Sequence, residues 1–234
     1  LPAALLGKEC RRFVSSPNYM LNCGMGVLMI PAAGVLLLLK GGEWLGLLKA
    51  VLPGADSVLA ALAISVACLL ASMNDMAAPS VSLEGKSLWV LQSLPVSAWE
   101  VLKAKLKMQL VFTGIPMLVF LACALPVLGL SPVLSLLTAA GSLLAVLLLA
   151  LFGLTMGLKM PNLHWTSEIT PVKQGGSVAL ALLGGWVYAL LPGGAAMTLG
   201  RNLHPAVFCL LTAVLCALLY VWLKNRGANV FAAL

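Results

Sequence analysis

Residues 80–100 read SVSLEGKSLWVLQSLPVSAWE and form a long polar interruption in a chain that is otherwise strongly apolar. Ser80 or Ser82 can cap a helix, and Glu84 then falls in its first turn, where the helix dipole favours a negative charge. Pro95 ends this helix, because proline cannot donate a backbone hydrogen bond. The stretch therefore predicts a surface helix of about three turns.

This predicted helix carries apolar side chains on more than one face. Leu83, Val90 and Leu94 follow one helical stripe, whereas Trp89 lies off it. A helix of this kind can pack on its own protein and on a second protein at the same time. The alternative is an interfacial helix, in which Trp89 and Trp99 lie at the lipid headgroups as membrane anchors.

The composition is typical of a membrane protein. Hydrophobic residues make up 62% of the 234 residues, charged residues make up 9%, and the mean hydropathy is +1.06. Soluble domains have about 45–50% apolar and about 25% charged residues. Six stretches approach or exceed the roughly 20 apolar residues that a helix needs to cross a bilayer. The sequence therefore predicts an all-α, multi-pass membrane protein with six transmembrane helices.

Local signals set the boundaries of the six predicted spans. Ser97 and Glu100 have capping-box spacing, so a helix begins there and runs into the third span. Gly153 and Gly157 have the GxxxG spacing that permits close helix contact, and Pro192 predicts an early end of the fifth span. The predicted spans are residues 17–39, 56–73, 108–128, 132–158, 170–192 and 205–223, with residues 40–55 outside the membrane.

The N-terminal segment has a different character from the rest. Residues 1–16 place Lys8, Arg11 and Arg12 among apolar side chains, which predicts an amphipathic helix at the membrane surface. Residues 17–234 then form the six-span domain. The chain does not begin with Met, and we expect it to be part of a longer protein.

The basic residues predict the orientation of the spans. Most of them lie on one side of the membrane, which the positive-inside rule identifies as the cytoplasm. Their dispersal over span ends argues against a nucleic-acid-binding surface, despite a net charge of +7. Eleven are cytoplasmic and three are outside: Lys8, Arg11, Arg12, Lys86, Lys103, Lys105, Lys107, Lys159, Lys173, Lys224 and Arg226, against Lys40, Lys49 and Arg201. We expect a cell-membrane protein with both termini in the cytoplasm.

The sequence has no cluster of residues suited to catalysis within the membrane. His164 and His204 fall on opposite sides in this topology and cannot share a metal ion, so we expect no metal site and no enzymatic activity. Acids and bases fall in loops or near span ends, whereas ion-coupled transporters keep a charge near the midplane. Energy for any transport would then come from a cytoplasmic partner, through Glu84, Lys86 and Glu168. The alternative is that these three are ordinary solvated loop charges.

Three motifs resemble the type-2 permeases of ABC transporters, and in particular a bacterial exporter group common in Gram-positive bacteria. They are GKECRRFVSSPNYMLN at residues 7–22, SLEGKSLWVLQSLPVS at residues 82–97 and MPNLHWTSEITPVKQGGS at residues 160–177. The middle motif is the most specific, and the order and spacing agree over nearly the whole chain. The chain resembles the C-terminal half of such a permease.

The resemblance implies an elbow helix at residues 3–16 and a coupling helix in the cytoplasmic region 79–100. The coupling helix would dock on a separate ATP-binding subunit, which would hold ATP and Mg, so this chain would need no cofactor of its own. A second six-span half or a homodimer mate would complete the pathway, and residues 193–204 would form a re-entrant segment. The implied coupling residues are Ser82, Leu83, Glu84, Gly85, Lys86, Trp89, Leu94, Pro95 and Glu168, and the elbow residues are Lys8, Arg11 and Arg12.

The expected function is export of an unidentified substrate across the cell membrane by alternating access, driven by the ATP-binding subunit. A different class of function is also compatible with the residues. In that alternative the chain is a membrane scaffold or sensor subunit that binds a cytoplasmic partner through the same region and transports nothing.

Overall fold

A computed structural model describes residues 2–51, 56–199 and 205–234, and this part of the chain consists of helices and short links without any strand. A 3₁₀ turn spans Gly85–Ser87, and a π turn spans Leu223–Gly227. The helices are α1 (Pro2–Ser15), α2 (Pro17–Cys23), α3 (Gly26–Val51), α4 (Asp56–Ser72), α5 (Ala77–Ser82), α6 (Leu88–Ser93), α7 (Ala98–Leu128), α8 (Pro132–Lys159), α9 (Ile169–Lys173), α10 (Gly176–Leu199), α11 (Pro205–Trp222) and α12 (Ala228–Ala233).

Six helical segments of the described chain are long and apolar enough to cross a membrane, which confirms the predicted all-α, multi-pass fold. Several of them combine two or three helices end to end, with only a bend or a short link between them. The six are Pro17–Val51, Asp56–Ser82, Ala98–Leu128, Pro132–Lys159, Ile169–Ala196 and Pro205–Ala233.

The first span extends further than the sequence predicted. Residues 40–51 were expected to be an outside loop, but α3 continues through them. This segment contains no proline that would stop the helix, and Lys40 forms an ion pair with Glu43 one turn later, at 3.6 Å. Residues 52–55, the rest of that expected segment, lie outside the described residues.

The fifth span also extends beyond its predicted end. Pro192 lies inside α10, and the helix continues to Leu199. A proline removes one helical hydrogen bond, but the N–H of Gly193 donates to Ser65 Oγ on α4 at 2.8 Å, so the disturbed turn has a partner. Residues 193–199 therefore continue α10, and residues 200–204 lie outside the described residues, so the re-entrant segment stays a prediction.

The predicted helix at residues 82–94 is broken into two pieces. Gly85 has φ of +50°, a left-handed conformation that glycine adopts without the penalty of a side chain. The chain therefore turns between the end of α5 at Ser82 and the start of α6 at Leu88. The capping box predicted for the next helix is confirmed, since Glu100 N–H donates to Ser97 Oγ (3.3 Å) and Ser97 N–H donates to Glu100 Oε2 (3.0 Å).

The long helices pack as neighbours around α4, α7 and α8. Helix α3 lies on α7, α4 lies between α8 and α10, and α11 lies on α8. Short helix α5 is pressed against α8, where a Cβ at Gly157 would overlap Ala78 O and one at Gly153 would lie 2.5 Å from Asp75 Oδ1. The close approach predicted from the GxxxG spacing is therefore confirmed, and it fixes where residues 83–97 leave the bundle.

Candidate coupling site

Four polar segments meet at one end of the bundle: α1, residues 83–97, residues 160–175 and α12. Gln92 Nε2 donates to Phe231 O at 3.3 Å, which joins α6 to α12. Trp165 Nε1 donates to Ser82 O at 2.7 Å, which joins the third segment to the end of α5. The predicted coupling residues all lie at this end, so their surroundings can be described together.

A buried charge cluster lies where α1, α7 and residue 84 meet, and it consists of Lys8, Glu9, Arg12, Glu84 and Lys105. Lys105 is fully buried, and its Nζ donates to Glu84 Oε1 at 2.6 Å, to Glu9 Oε1 at 3.1 Å and to Ser80 O at 3.0 Å. An ammonium group has three donors, and here all three have acceptors. This arrangement meets the requirement that a buried charge be paired and hydrogen-bonded.

Glu84 is the centre of this cluster. Besides Lys105, its carboxylate accepts from Lys8 Nζ at 2.9 Å and lies 2.8 Å from Arg12 Nη1. Burial would raise the pKa of Glu84, but the charges of Lys105, Arg12 and Lys8 lower that pKa well below its usual range. Burial lowers the pKa of Arg12, and the charge of Glu84 raises it to a net value above its usual one. Both groups therefore stay ionised at physiological pH.

The buried charge cluster contains three cations and two carboxylates, so it retains one positive charge. Arg12 Nη2 also donates to Leu83 O at 3.0 Å, which ties α1 to the backbone beside Glu84. Removing one partner of a buried ion pair typically costs about 3–5 kcal/mol, because the other charge is left uncompensated. The cluster therefore holds α1, the bend at Gly85 and α7 together as one unit.

Residues 160–175 pack on the other side of the same bend. The N–H of Asn162 donates to Ser82 Oγ at 2.9 Å, beside the bond from Trp165 to the same residue. A Cβ at Gly85 would lie 3.1 Å from Trp165 Nε1, so the indole closes over the bend. At the corner between α1 and α2, Ser16 Oγ donates to Glu168 Oε2 at 2.7 Å.

Helix α7 makes a second polar contact one turn beyond Lys105. Gln109 Oε1 accepts from the N–H groups of Met76 (2.6 Å) and Ala77 (2.9 Å), and its Nε2 donates to Asn74 O. Asn74 and Met76 belong to the link between α4 and α5, Ala77 is the first residue of α5, and all three are buried. Lys105 and Gln109 thus connect one face of α7 to both ends of α5.

The structure separates the predicted coupling residues into two groups. Four are buried within the chain, namely Ser82, Leu83, Glu84 and Gly85, so they cannot touch a partner directly. Five are exposed, namely Lys86, Trp89, Leu94, Pro95 and Glu168. Of the predicted elbow residues, Arg11 is exposed, whereas Lys8 and Arg12 turn towards Glu84.

We define the docking face as the exposed residues Lys86, Trp89, Val90, Leu94 and Pro95 of α6 and its flanks. Trp89 is 67% exposed, a high value for so large an apolar side chain. On another side of the same short helix, Leu88 and Leu91 are buried in an apolar cluster that includes side chains of α7 and α8. Helix α6 therefore has the two apolar sides that the sequence predicted. One side is packed against the protein, and the other is exposed among the described residues.

Sequence reasoning missed the role of Lys105 and its partner Glu9. Lys105 was counted only among the cytoplasmic basic residues, and its full burial was not predicted. A signal existed, because its helical neighbours Val101, Leu102 and Met108 are apolar, whereas a solvated lysine usually shares its face with polar residues. The contact with Glu9 joins residues 96 positions apart, and no local pattern indicates it.

Comparisons with protein-family models, with curated proteins and with solved structures found no match to this chain. Within the described ranges, no three His, Cys, Asp or Glu side chains come together in a way that could hold a metal ion. The fold and the site therefore define a class, a six-span helical membrane protein that has a buried charge cluster and an exposed apolar face at the same end.

Proposed function

We propose that this chain is the transmembrane permease subunit of an ATP-driven ABC exporter and that a separate cytoplasmic ATP-binding subunit docks on its docking face. The observation that carries the proposal is that exposed Trp89 lies on a short helix whose preceding bend is tied to α1 and α7 by the buried charge cluster. An isolated interfacial helix needs no such anchoring. The resemblance of residues 7–22, 82–97 and 160–177 to exporter permeases supports the same reading.

The contacts behind the docking face suggest how motion would reach the spans. A push on α6 acts on the bend at Gly85, and Glu84 beside it is bonded to Lys105 on α7. The same push reaches α1 through Arg12 and residues 160–175 through Trp165. Packed elements move as rigid units, so these helices would shift together when the ATP-binding subunits close. Alternating access is the transport mechanism that such a coupled shift serves.

The proposal assigns the chemistry of ATP to the partner. ATP and Mg would bind in the ATP-binding subunit, and the permease chain would bind neither. A second six-span half, either a homodimer mate or a preceding half of the same protein, would enclose the pathway. The polar end would face the cytoplasm, as the distribution of basic residues predicts.

The substrate class is open, but the polar groups of the spans narrow it. Ser142 Oγ donates to Thr138 O at 2.7 Å, and Thr155 Oγ1 donates to Leu151 O at 2.7 Å, so both hydroxyls are used by their own helix. Gln109 is used by the α4–α5 link. Few polar groups remain to solvate a hydrophilic substrate, which favours an amphipathic or lipid-like one.

The test is association and ATP turnover in lipid after co-expression with the cognate ATP-binding subunit. Trp89→Ala removes an exposed side chain and leaves the buried charge cluster intact, whereas a change at Glu84 would also disturb folding. A central interface Trp contributes on the order of 2 kcal/mol, so we expect association to weaken by at least about tenfold. The matched control is Trp44→Ala, an exposed Trp on α3 at the other end of the bundle.

The scaffold or sensor alternative predicts a different outcome. A scaffold would bind its partner without changing ATP turnover, so the two Trp variants would give equal turnover in lipid. If no ATP-binding subunit associates with the unaltered chain, the exporter proposal is wrong and the scaffold reading replaces it.

A further inference from the structure

An apolar groove runs along the membrane-facing side of α8, α10 and α11. Two adjoining cavities of 260 Å³ and 450 Å³ form it, and they share the side chains of Phe152, Gly184 and Tyr188. Its lining side chains are apolar except for Tyr188. The hydroxyl of Tyr188 forms a hydrogen bond with Thr212 Oγ1, so it offers little polar surface to the groove. The groove lies within the spans, where lipid is the surrounding solvent.

Gly184 gives the groove its shape. A Cβ at this position would lie 2.5 Å from Phe152 Cε1, so α10 approaches the ring only because residue 184 has no side chain. The outer wall is formed by α10 side chains such as Leu183, which is 54% exposed. A long apolar chain can therefore enter from the side, between α10 and α11.

The groove leads towards a group of basic residues at one end of the bundle. Met156 lines its end, and Lys159 follows three residues later on α8, a rise of about 4.5 Å. Lys159 Nζ lies 5.3 Å from the centre of the Trp222 ring on α11. A Lys beside a Trp at a span end is typical of the headgroup level of a membrane.

Two further cations belong to the π turn that packs on the end of α8. A Cβ at Gly227 would lie 3.2 Å from Leu158 Cδ1, so the π turn touches α8 next to Lys159. Lys224 and Arg226 belong to this turn and are exposed. Among the described residues, none of the three cations has a carboxylate within 4 Å, in contrast to the cations of the buried charge cluster.

We propose that this groove and the three cations bind one anionic phospholipid, with an acyl chain against Phe152 and Gly184 and the phosphate at Lys159, Lys224 and Arg226. An apolar groove that ends in unpaired cations at headgroup depth complements the two parts of such a lipid. Basic pockets between transmembrane helices recognise anionic headgroups in this way. The site does not depend on whether the protein is an exporter.

Native mass spectrometry of the purified chain tests the proposal, with phosphatidylglycerol and phosphatidylcholine of equal acyl length as probes. We expect one phosphatidylglycerol to be retained in preference to phosphatidylcholine. The triple variant Lys159→Gln, Lys224→Gln, Arg226→Gln should lower phosphatidylglycerol affinity at least tenfold and leave phosphatidylcholine unchanged. Its charge-matched control changes three other exposed lysines, Lys40→Gln, Lys107→Gln and Lys173→Gln, and should have little effect.

A second pair of variants tests the groove itself. Leu183→Trp places a large ring at its wall and should weaken both lipids, whereas Leu190→Trp, on the same helix but outside the lining, should weaken neither. Equal affinity for the two lipids, or equal losses in the triple variant and its control, would overturn the proposal. A dimer in the same spectra would also overturn the proposal if Leu183→Trp dissociated it, because a second copy of the chain would then occupy the groove.

Discussion

Lys105 is the residue on which the polar end of the molecule depends. Lys105→Met keeps the length of the side chain but leaves Glu84 and Glu9 without their buried cation. We expect the free energy of unfolding to fall by about 3 kcal/mol, the low end for a broken buried pair, since Lys8 and Arg12 remain. Reversible unfolding in mixed micelles with increasing denaturing detergent measures this change.

The matched control for that measurement is Lys107→Met, on the same helix and exposed. An exposed substitution of this kind usually changes stability by no more than about 0.5 kcal/mol. Equal losses for the two variants would mean that the contacts of Lys105 contribute nothing beyond those of a surface lysine.

Glu84 gives the stability of the fold a characteristic dependence on pH. Because its folded pKa is lowered, its contribution is fully present above the pKa of an exposed glutamate, about 4.3, and is lost as the pH falls towards the folded pKa. Glu84→Gln should therefore melt at a lower temperature than the unaltered chain at pH 7, and the gap should narrow below about pH 4. Melting temperatures at pH 7, 5 and 3 measure it.

Glu43→Gln is the control for the pH series, because the Glu43 side chain is 72% exposed and should show almost no gap at any pH. A gap for Glu84→Gln that stays constant down to pH 3 would contradict the assignment of Glu84 as an ionised, cation-paired group.

At the scale of elements, the bend at Gly85 decides how α5 and α6 are oriented. Gly85→Ala forces a side chain into a left-handed conformation, which costs about 1–2 kcal/mol, and it crowds Trp165. Gly114→Ala in α7 is the control: its Cβ meets open space, and alanine favours a helix over glycine by up to about 1 kcal/mol. The two substitutions should shift the melting temperature in opposite directions, and a shift in the same direction would refute the strain at residue 85.

The elements that the sequence predicted well are those with strong local signals. The capping box of Ser97 and Glu100 and the close helix contact that the spacing of Gly153 and Gly157 permits are encoded in neighbouring residues and were confirmed. The prediction that the fifth span ends at Pro192 was wrong. The hydrogen bond that this proline removes is offset by one from the N–H of Gly193 to Ser65, which lies 128 residues away in the sequence. The break at Gly85 was missed because a glycine inside a helical pattern does not reveal the sign of its φ.

At the scale of the whole molecule, the basic residues predict which end faces the cytoplasm. Glu43→Cys, on an exposed part of α3, should react with a membrane-impermeant maleimide in intact cells. Asn225→Cys, exposed on the π turn, should react only after the cells are permeabilised. The unaltered chain with its six native cysteines supplies the background. Labelling of Asn225→Cys in intact cells would show that the orientation is opposite to the predicted one.

We propose that the docking face contacts an ATP-binding subunit. The most direct test replaces Trp89 by a photo-crosslinking phenylalanine analogue in the co-expressed complex, with the same replacement of Trp44 as the control. Light should join position 89, and not position 44, to the ATP-binding subunit, and addition of ATP should change the yield. Crosslinks to lipid alone at position 89, or equal yields at the two positions, would contradict the account and leave α6 as an interfacial helix.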